Sequence, residues 1–247
     1  AAQSGVYSAY LAQKDFTGIT DVLEAGYGGY LSTYSNSPNP GRLLEGLGSV
    51  WETGKVGYKP HACVTSIHSA LDAFAALLDA HQLTPQDIKR LEVGVSSMTF
   101  THCAWEYKAQ GVTAAQMNLY YGLAVMGFDG MAFVAQYQEQ RLADPLLMDF
   151  IKRIDARIDP EIDAMGPAYR HAARVALTTT DGRRLEHEIL NRRGSPENPL
   201  SHDDVVYKYR HVVQSCLSPR QIDRSIALID QLDRLEDTTE LFELLAT

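Results

Sequence analysis

The sequence predicts an α+β protein, and three observations carry the prediction. Residues 50–192 mix short alternating apolar runs, which mark half-buried strands, with segments whose apolar residues recur three or four apart, which mark helices. Asp181-Gly182 separates two alternating runs, and Asp-Gly in that setting is a strong hairpin signal. Both ends of the chain read as helix without strand. Strands and helices set between all-helical ends suggest an α+β domain inserted between helices of an all-helical domain. The expected division is 1–45 for a helical segment and connector, 46–192 for the α+β domain, and 193–247 for helices returning to the helical domain.

Taken in order, residues 1–13 form a small-residue helix with Val6, Tyr7, Tyr10 and Leu11 as its apolar side chains. No N-cap precedes it and the first residue is alanine, so the chain is expected to begin inside an element, as a fragment or processed subunit would. Asp15 to Asn39 is a connector with a short helical piece. Its Gly26-Tyr27-Gly28-Gly29-Tyr30 run reads as a turn, because no lysine follows at the spacing of a phosphate-binding loop. Pro38 to Gly48 marks a boundary. Val50 to Tyr58 is expected to be a strand. Lys59 precedes a proline, which pushes it out of the helical region to the end of a strand or loop. From Thr65, Ile67, Leu71, Phe74 and Leu78 follow helical spacing, and the helix ends near His81.

Thr84-Pro85-Gln86-Asp87 is an N-cap with proline at the first helical position. It supports a single turn, because Leu91, Val93 and Val95 then alternate as a strand. Helices are expected over 114–127, 130–139 and about 144–152. Ile154, Ala156 and Ile158 suggest a strand. Val175, Leu177 and Thr179 pair across the Asp-Gly turn with Leu185, His187 and Ile189. Arg192 to Leu200 is a proline-containing crossing loop. Ser201 with Asp204 starts a helix in capping-box style, and Ser218-Pro219-Arg220-Gln221 is a second, clearer helix start; helices 201–215 and 219–233 follow, and a short acidic helix starts near Thr238.

Composition narrows the function classes. With 247 residues, 45% apolar and 21% charged, the chain is an ordinary globular protein. No apolar run approaches the roughly 18 residues that span a bilayer, and no signal peptide is visible. A formal charge of −9 disfavours nonspecific nucleic-acid binding, while leaving a locally positive site for an anionic small molecule open. The three cysteines, Cys63, Cys103 and Cys216, are far apart and form no Cys-x-x-Cys pair. They suit reduced thiols in a cytoplasmic setting and offer no ligand set for a zinc ribbon or iron–sulfur cluster. No metal and no cofactor are expected.

Chemistry concentrates in Val56 to Ala73. Lys59, His61, Cys63, Thr65, Ser66 and His68 lie just ahead of or at a helix N-terminus, where unpaired backbone N–H groups favour an anion. Against this, a surface lysine is usually only solvated. Cys63 is more often a small buried hydrophobe, and His68 on a first turn can simply bond a carbonyl. The other histidines, among them His102, His171, His187, His202 and His211, show no ligand spacing.

Four segments in order resemble the MmgE/PrpD family, which includes 2-methylcitrate dehydratase, cis-aconitate decarboxylase and iminodisuccinate epimerase. The first is Ala1-Ala2-Gln3-Ser4-Gly5 with Phe16-Thr17-Gly18 and Asp21-Val22-Leu23-Glu24. The second is Lys59-Pro60-His61-Ala62-Cys63, similar to a Lys-Pro-Tyr-Pro-Cys-type stretch. The third is Ala115-Gln116-Met117-Asn118-Leu119-Tyr120-Tyr121, similar to an Ala-Gln-Phe-Ser-x-Pro-Tyr helix. The fourth is Arg193-Gly194-Ser195-Pro196-Glu197-Asn198-Pro199-Leu200-Ser201. The resemblance implies a large helical domain and a smaller α+β lid, with the lid complete here.

It implies that Lys59 is an active-site lysine and Tyr121 the second catalytic candidate, although Tyr120 replaces the motif's proline. His61, His68 and Gln116 are candidate substrate-binding residues. Cis-aconitate decarboxylases carry a histidine where this chain has Val64, which argues against decarboxylation. The family's remaining acid–base groups, an aspartate, histidines and a second lysine, lie in its N-terminal half. The expectation is a cofactor-free hydro-lyase on a small polycarboxylate, dehydrating a 2-methylcitrate-like hydroxy acid. The alternatives are an epimerase of the same family or a noncatalytic binding subunit. The expected partners are an N-terminal helical half, a second copy in a homodimer, or both, with no nucleic acid and no membrane.

Overall fold

The computed structural model describes residues 1–246, so only the last residue of the 193–247 segment lies outside the described residues. The chain divides into two compact units, residues 1–54 and 55–247.

In the first unit, α1 spans Ala2–Ala12 and α2 spans Tyr30–Tyr34, followed by a 3-10 turn at Pro40–Leu43. The Asn39 side chain caps that turn by accepting from the Gly41 N–H. No residue of α1 is buried, and Val6, Tyr7, Tyr10 and Leu11 are all at least half exposed. A helix of this length is marginal in water unless tertiary packing supports it.

The second unit holds the core. Its elements are α3 (His68–His81), β1 (Ile88–Val95), α4 (Ser97–Cys103), α5 (Val112–Met117), α6 (Leu119–Asp129) and α7 (Pro145–Ile151). Then come β2 (Ile154–Ile158), α8 (Pro160–Ala164), β3 (Ala173–Thr179), β4 (Arg184–Ile189), α9 (His202–Val213), α10 (Pro219–Ile229) and α11 (Thr239–Leu245). The four strands form one mixed sheet in the order β2-β1-β3-β4. β1 runs parallel to β2 and antiparallel to β3, and β3 pairs antiparallel with β4.

Alternation gives the sheet two unlike faces. Leu91, Val93 and Val95 of β1 stand with Ala173, Val175 and Leu177 of β3 on the buried face. Helix α3 packs on β3 and β4 and against α6, which packs in turn on α7. Phe74, Leu71 and Leu77 of α3, Leu123 of α6 and Phe150 of α7 fill the space between. The opposite face is charged. Arg90 pairs with Asp155 at 2.7 Å, Arg184 with Glu92 at 2.6 Å, and Arg174 with Asp159, Glu161 and Glu188.

Caps written in the sequence are made. The boxes at Thr84/Asp87, Ser201/Asp204 and Ser218/Gln221 are all present, and the first supports one 3-10 turn before β1, as expected. Other elements differ. Val50 to Tyr58 is not a strand: Glu52–Lys55 is a 3-10 turn, and the Tyr58 N–H bonds the Gly194 carbonyl instead of a neighbouring strand. Its alternation has nothing to bury, since Val50, Trp51, Val56 and Tyr58 are all exposed. Residues 130–139 do not form an α-helix. Gly130 closes α6 in the left-handed conformation, and Gln136 caps a 3-10 turn at Val134–Tyr137 by accepting from the Phe133 N–H. The helix expected over 114–127 is two, broken at Asn118, whose side chain caps α6 by accepting from the Tyr121 N–H. Residues 219–233 continue as helix only to Ile229, with a 3-10 turn at Leu232–Arg234. Helices α4 and α8 were not anticipated, although Ser96 and Asp159-Pro160 are cap signals.

Candidate functional site

Lys59 stands on a loop held from four directions. Its side chain is exposed, and the ammonium donates to the Cys63 carbonyl at 3.4 Å. Its own carbonyl accepts from Lys208 Nζ of α9 at 2.6 Å. One residue earlier, the Tyr58 N–H donates to the Gly194 carbonyl at 2.7 Å, and the Gly194 N–H donates to the Asn198 carbonyl at 2.7 Å. The approach is so close that neither glycine admits a side chain. A Cβ on Gly57 would lie 2.4 Å from the Gly194 oxygen, and one on Gly194 2.1 Å from the Tyr58 oxygen. The Lys59 segment and the late Arg-Gly-x-Pro turn, remote in sequence, thus meet backbone to backbone.

Residues 62–64 are laced on the other side. The Ala62 N–H donates to the Ala132 carbonyl at 2.8 Å, and the Val64 N–H to the Gln116 carbonyl at 2.9 Å. The Gln116 side-chain amide donates to the Ala62 carbonyl at 2.9 Å. Gln116 therefore holds this segment through both its backbone and its side chain.

The two histidines lie beneath the loop. His61 is 5% exposed, and its Nε2 is 2.9 Å from Asp72 Oδ1 on α3. His68 is fully buried; its Nε2 donates to the Cys63 carbonyl at 3.3 Å, and its ring meets that of His61 edge-on at 5.1 Å. Burial, helped by His61, drives the His68 pKa down to about 2, so the ring stays neutral. Its Nδ1 has no hydrogen-bond partner among the described residues.

A buried neutral histidine has a stability consequence. Its folded pKa lies below the ordinary value of 6.5, so its stabilising contribution is present above pH 6.5 and is lost as pH falls toward the folded value. His171, lowered to about 4 by burial first and Arg170 second, acts in the same direction. The unfolding midpoint is expected to drop between pH 6.5 and 4.5. The slope is on the order of 1.4 kcal/mol per pH unit for each histidine. A His68→Gln variant keeps a side-chain N–H donor and should flatten the profile; a wild-type midpoint constant over that range contradicts the account.

Tyr121 belongs to the core. It is fully buried, its hydroxyl donates to the Gln136 carbonyl at 2.6 Å, and burial raises its pKa. Its ring lies 4.9 Å from that of Tyr107 and 5.6 Å from that of Tyr137. Tyr137 stands beside the Cys63 thiol, whose pKa burial pushes up to about 12; Cys63 is thus no thiolate at neutral pH. Tyr121→Phe removes one buried hydrogen bond. It is expected to cost about 1 kcal/mol in denaturant unfolding and to change turnover by less than about tenfold; a loss near that of a transition-state contact would give the hydroxyl a direct part.

The fold thus gathers Lys59, His61, His68 and Gln116 around one loop. Of these, Lys59 alone presents an exposed charged group; the other three hold the loop's backbone or its underlying helix. Tyr121 connects to them only through Tyr137 and Cys63. Sequence reasoning missed Asp72, whose signal was a carboxylate between the apolar Leu71 and Ala73 on a helix. It also missed Lys208, which had no signal beyond being a lysine on an amphipathic helix. Among the described residues, no group of three or more His, Cys, Asp or Glu is placed to hold a metal ion, and no helix is long and apolar enough to cross a membrane.

A lysine-bearing loop clamped between an α+β core and a late crossing turn defines the class of domain. Residues 61–234 match the family model of the MmgE/PrpD C-terminal domain. The chain belongs to the MmgE/PrpD family. Among the curated relatives it matches, it is 29% identical to the cis-aconitate decarboxylase of Aspergillus terreus, over 99% of this chain and 53% of that protein. It is 25% identical to the cis-aconitate decarboxylase-like protein oryM of Aspergillus oryzae, over 100% of this chain and 53% of that protein. To the human cis-aconitate decarboxylase it is 24% identical, over 99% of this chain and 51% of that protein. The chain spans about half the length of these relatives.

Proposed function

We propose that this chain is the lid-bearing part of a lyase that acts on a small polycarboxylate, with cis-aconitate decarboxylation as the first reading. The observation that carries the proposal is the exposed Lys59 ammonium on a backbone-clamped loop, within a domain whose matched relatives are named for that reaction. In such a decarboxylation the C–C bond breaks and CO2 departs. The electron pair is delocalised as enolate-type charge toward a remaining carboxylate, and a proton then adds to carbon. A fixed ammonium beside that developing charge stabilises it more than it stabilises the substrate.

A second reading rests on Val64. Decarboxylases that the segment resembles have a histidine there, and its absence favours dehydration of a 2-methylcitrate-like hydroxy acid, or epimerisation, through a shared abstraction of a proton alpha to a carboxylate. The test supplies intact protein with cis-aconitate, 2-methylcitrate and iminodisuccinate, following CO2 release, water elimination and inversion. Turnover of cis-aconitate is the expected result. Turnover of 2-methylcitrate alone selects the second reading. Binding without turnover indicates a noncatalytic subunit, and no binding of any of the three sinks the polycarboxylate assignment.

The proposal includes a partner surface. The exposed apolar side chains of residues 1–54, such as Tyr10, Leu11 and Phe16, suit a helical surface. We assign it to an N-terminal half like that of the longer relatives, with a second copy of the chain as the alternative. The three free cysteines fit a reducing, cytoplasmic setting.

A further inference from the structure

Beside the Lys59 loop lies a cleft with two cations that sequence reasoning did not single out. Arg193, Lys208, Asp204 and Tyr207 line it, with Pro60 at the loop side and Phe133 as a second aromatic wall. The Phe133 and Tyr207 rings are 6.0 Å apart. Lys208 is anchored at 2.6 Å to the Lys59 carbonyl. Burial first and the charge of Lys59 second lower its pKa. Positive charge is thus held at the cleft by the anchored Lys208 and by Arg193.

Arg193 is held loosely. Its Nε is 3.8 Å from Asp72 Oδ1 and its Nη1 is 3.5 Å from Asp204 Oδ1, whereas charge-assisted hydrogen bonds close to about 2.7–2.9 Å. Both acids have other partners, although Asp72 Oδ2 has none among the described residues. Asp72 Oδ1 already bonds His61, and Asp204 Oδ2 accepts from the Ser201 N–H and hydroxyl in the cap of α9. A guanidinium has five N–H donors in a planar fork that fits a carboxylate, and the two long contacts leave most of that capacity unused.

We propose that Arg193 and Lys208 form a carboxylate-binding subsite in this cleft, holding the substrate carboxylate remote from the reacting carbon while Lys59 serves the reacting end. The proposal rests on the polycarboxylate reading above and extends it to substrate class. Two cations beside Lys59 select compact di- and tricarboxylates over monocarboxylates. Asp72 and Asp204 oppose an anion at Arg193, so the subsite discriminates through the pair of cations and not through either one.

The test is a cycle of variants against ligands in intact protein, read by calorimetric titration with tricarballylate and with butyrate, whose single carboxylate leaves none for the cleft once Lys59 is engaged. Arg193→Met and Lys208→Met should each weaken tricarballylate binding about 10-fold or more, the worth of a charge-assisted contact, and weaken butyrate binding less. Lys208 also supports the Lys59 backbone, so a purely structural role would weaken both ligands equally; that result overturns the subsite. If Lys59→Met weakens tricarballylate while both cleft variants bind like wild type, the polycarboxylate reading stands and the subsite fails. If wild type binds neither ligand, the reading and the subsite fall together.

Discussion

Replacing Lys59 with Met should lower turnover by about 100-fold or more while leaving the fold intact. The size follows from the task assigned to the ammonium. Loss of one preorganised donor at a developing oxyanion costs about 10²–10³ in kcat, and a factor of 100 corresponds to about 2.7 kcal/mol of barrier. The intact fold follows from the setting. The side chain is exposed and its one hydrogen bond, 3.4 Å to the Cys63 carbonyl, is long. Surface changes away from packed features usually stay within about 0.5 kcal/mol, and Met keeps most of the stem. A charge acting in the transition state should show itself in kcat and kcat/KM together, whereas one that only attracts the substrate should raise KM. Lys59→Arg keeps the charge but moves and spreads it, so partial activity is expected. Unchanged kinetics in a folded Lys59→Met protein removes Lys59 from the site.

The second large effect is expected from Gly194→Ala, with Gly182→Ala as its control. Both glycines have positive φ, +83° and +91°, so both substitutions carry left-handed strain of about 1–2 kcal/mol. They differ in what the new methyl meets. At Gly182, in the β3–β4 hairpin, nothing lies within 4 Å. At Gly194 the Tyr58 carbonyl oxygen lies at 2.1 Å and its carbon at 3.1 Å, both backbone atoms. No rotamer can relieve such a contact. The two segments must separate, and the 2.7 Å bond from the Tyr58 N–H is lost with them. Gly182→Ala should cost about 1–2 kcal/mol in urea unfolding and leave turnover near wild type. Gly194→Ala should cost about 3 kcal/mol or more and depress turnover further than its stability loss explains, because Lys59 moves with Tyr58. Equal unfolding curves and equal rates for the two variants would mean that the clamp does not set the loop.

Much of the fold was legible because local chemistry writes it locally. A capping serine or threonine with an acid or amide three residues on decides a helix start within one turn, and the three starts read from the sequence formed where it placed them, each closed by a capping box. Strands β2, β3 and β4 also followed from alternation and the Asp-Gly turn. The two main misreadings have different causes. Val50 to Tyr58 alternates like a strand, yet a strand also needs a neighbour for its N–H groups, and at Tyr58 that neighbour is a turn from far along the chain. Residues 130–139 have helical composition, but Gly130 closes the preceding helix in the left-handed conformation and a capped 3-10 turn follows.

The candidate site divides the same way. Sequence alone could bring Lys59, His61 and His68 near one another, because they share one stretch, and could mark Gly194 as part of a motif. It could not say that His61 turns down onto Asp72, that His68 is neutral beneath the Cys63 carbonyl, or that Tyr121 spends its hydroxyl on Gln136. Side-chain direction in an irregular segment depends on which distant backbone groups satisfy its N–H and C=O, and those groups come from Ala132, Gln116, Gly194 and Lys208. The caps, the hairpin and the elements they bound are set by interactions a few residues apart, so the sequence determined them. The strand order, the glycine-to-backbone clamp and the pairing of Arg193 with Lys208 across one cleft are set by long-range closure, which tertiary packing alone decides.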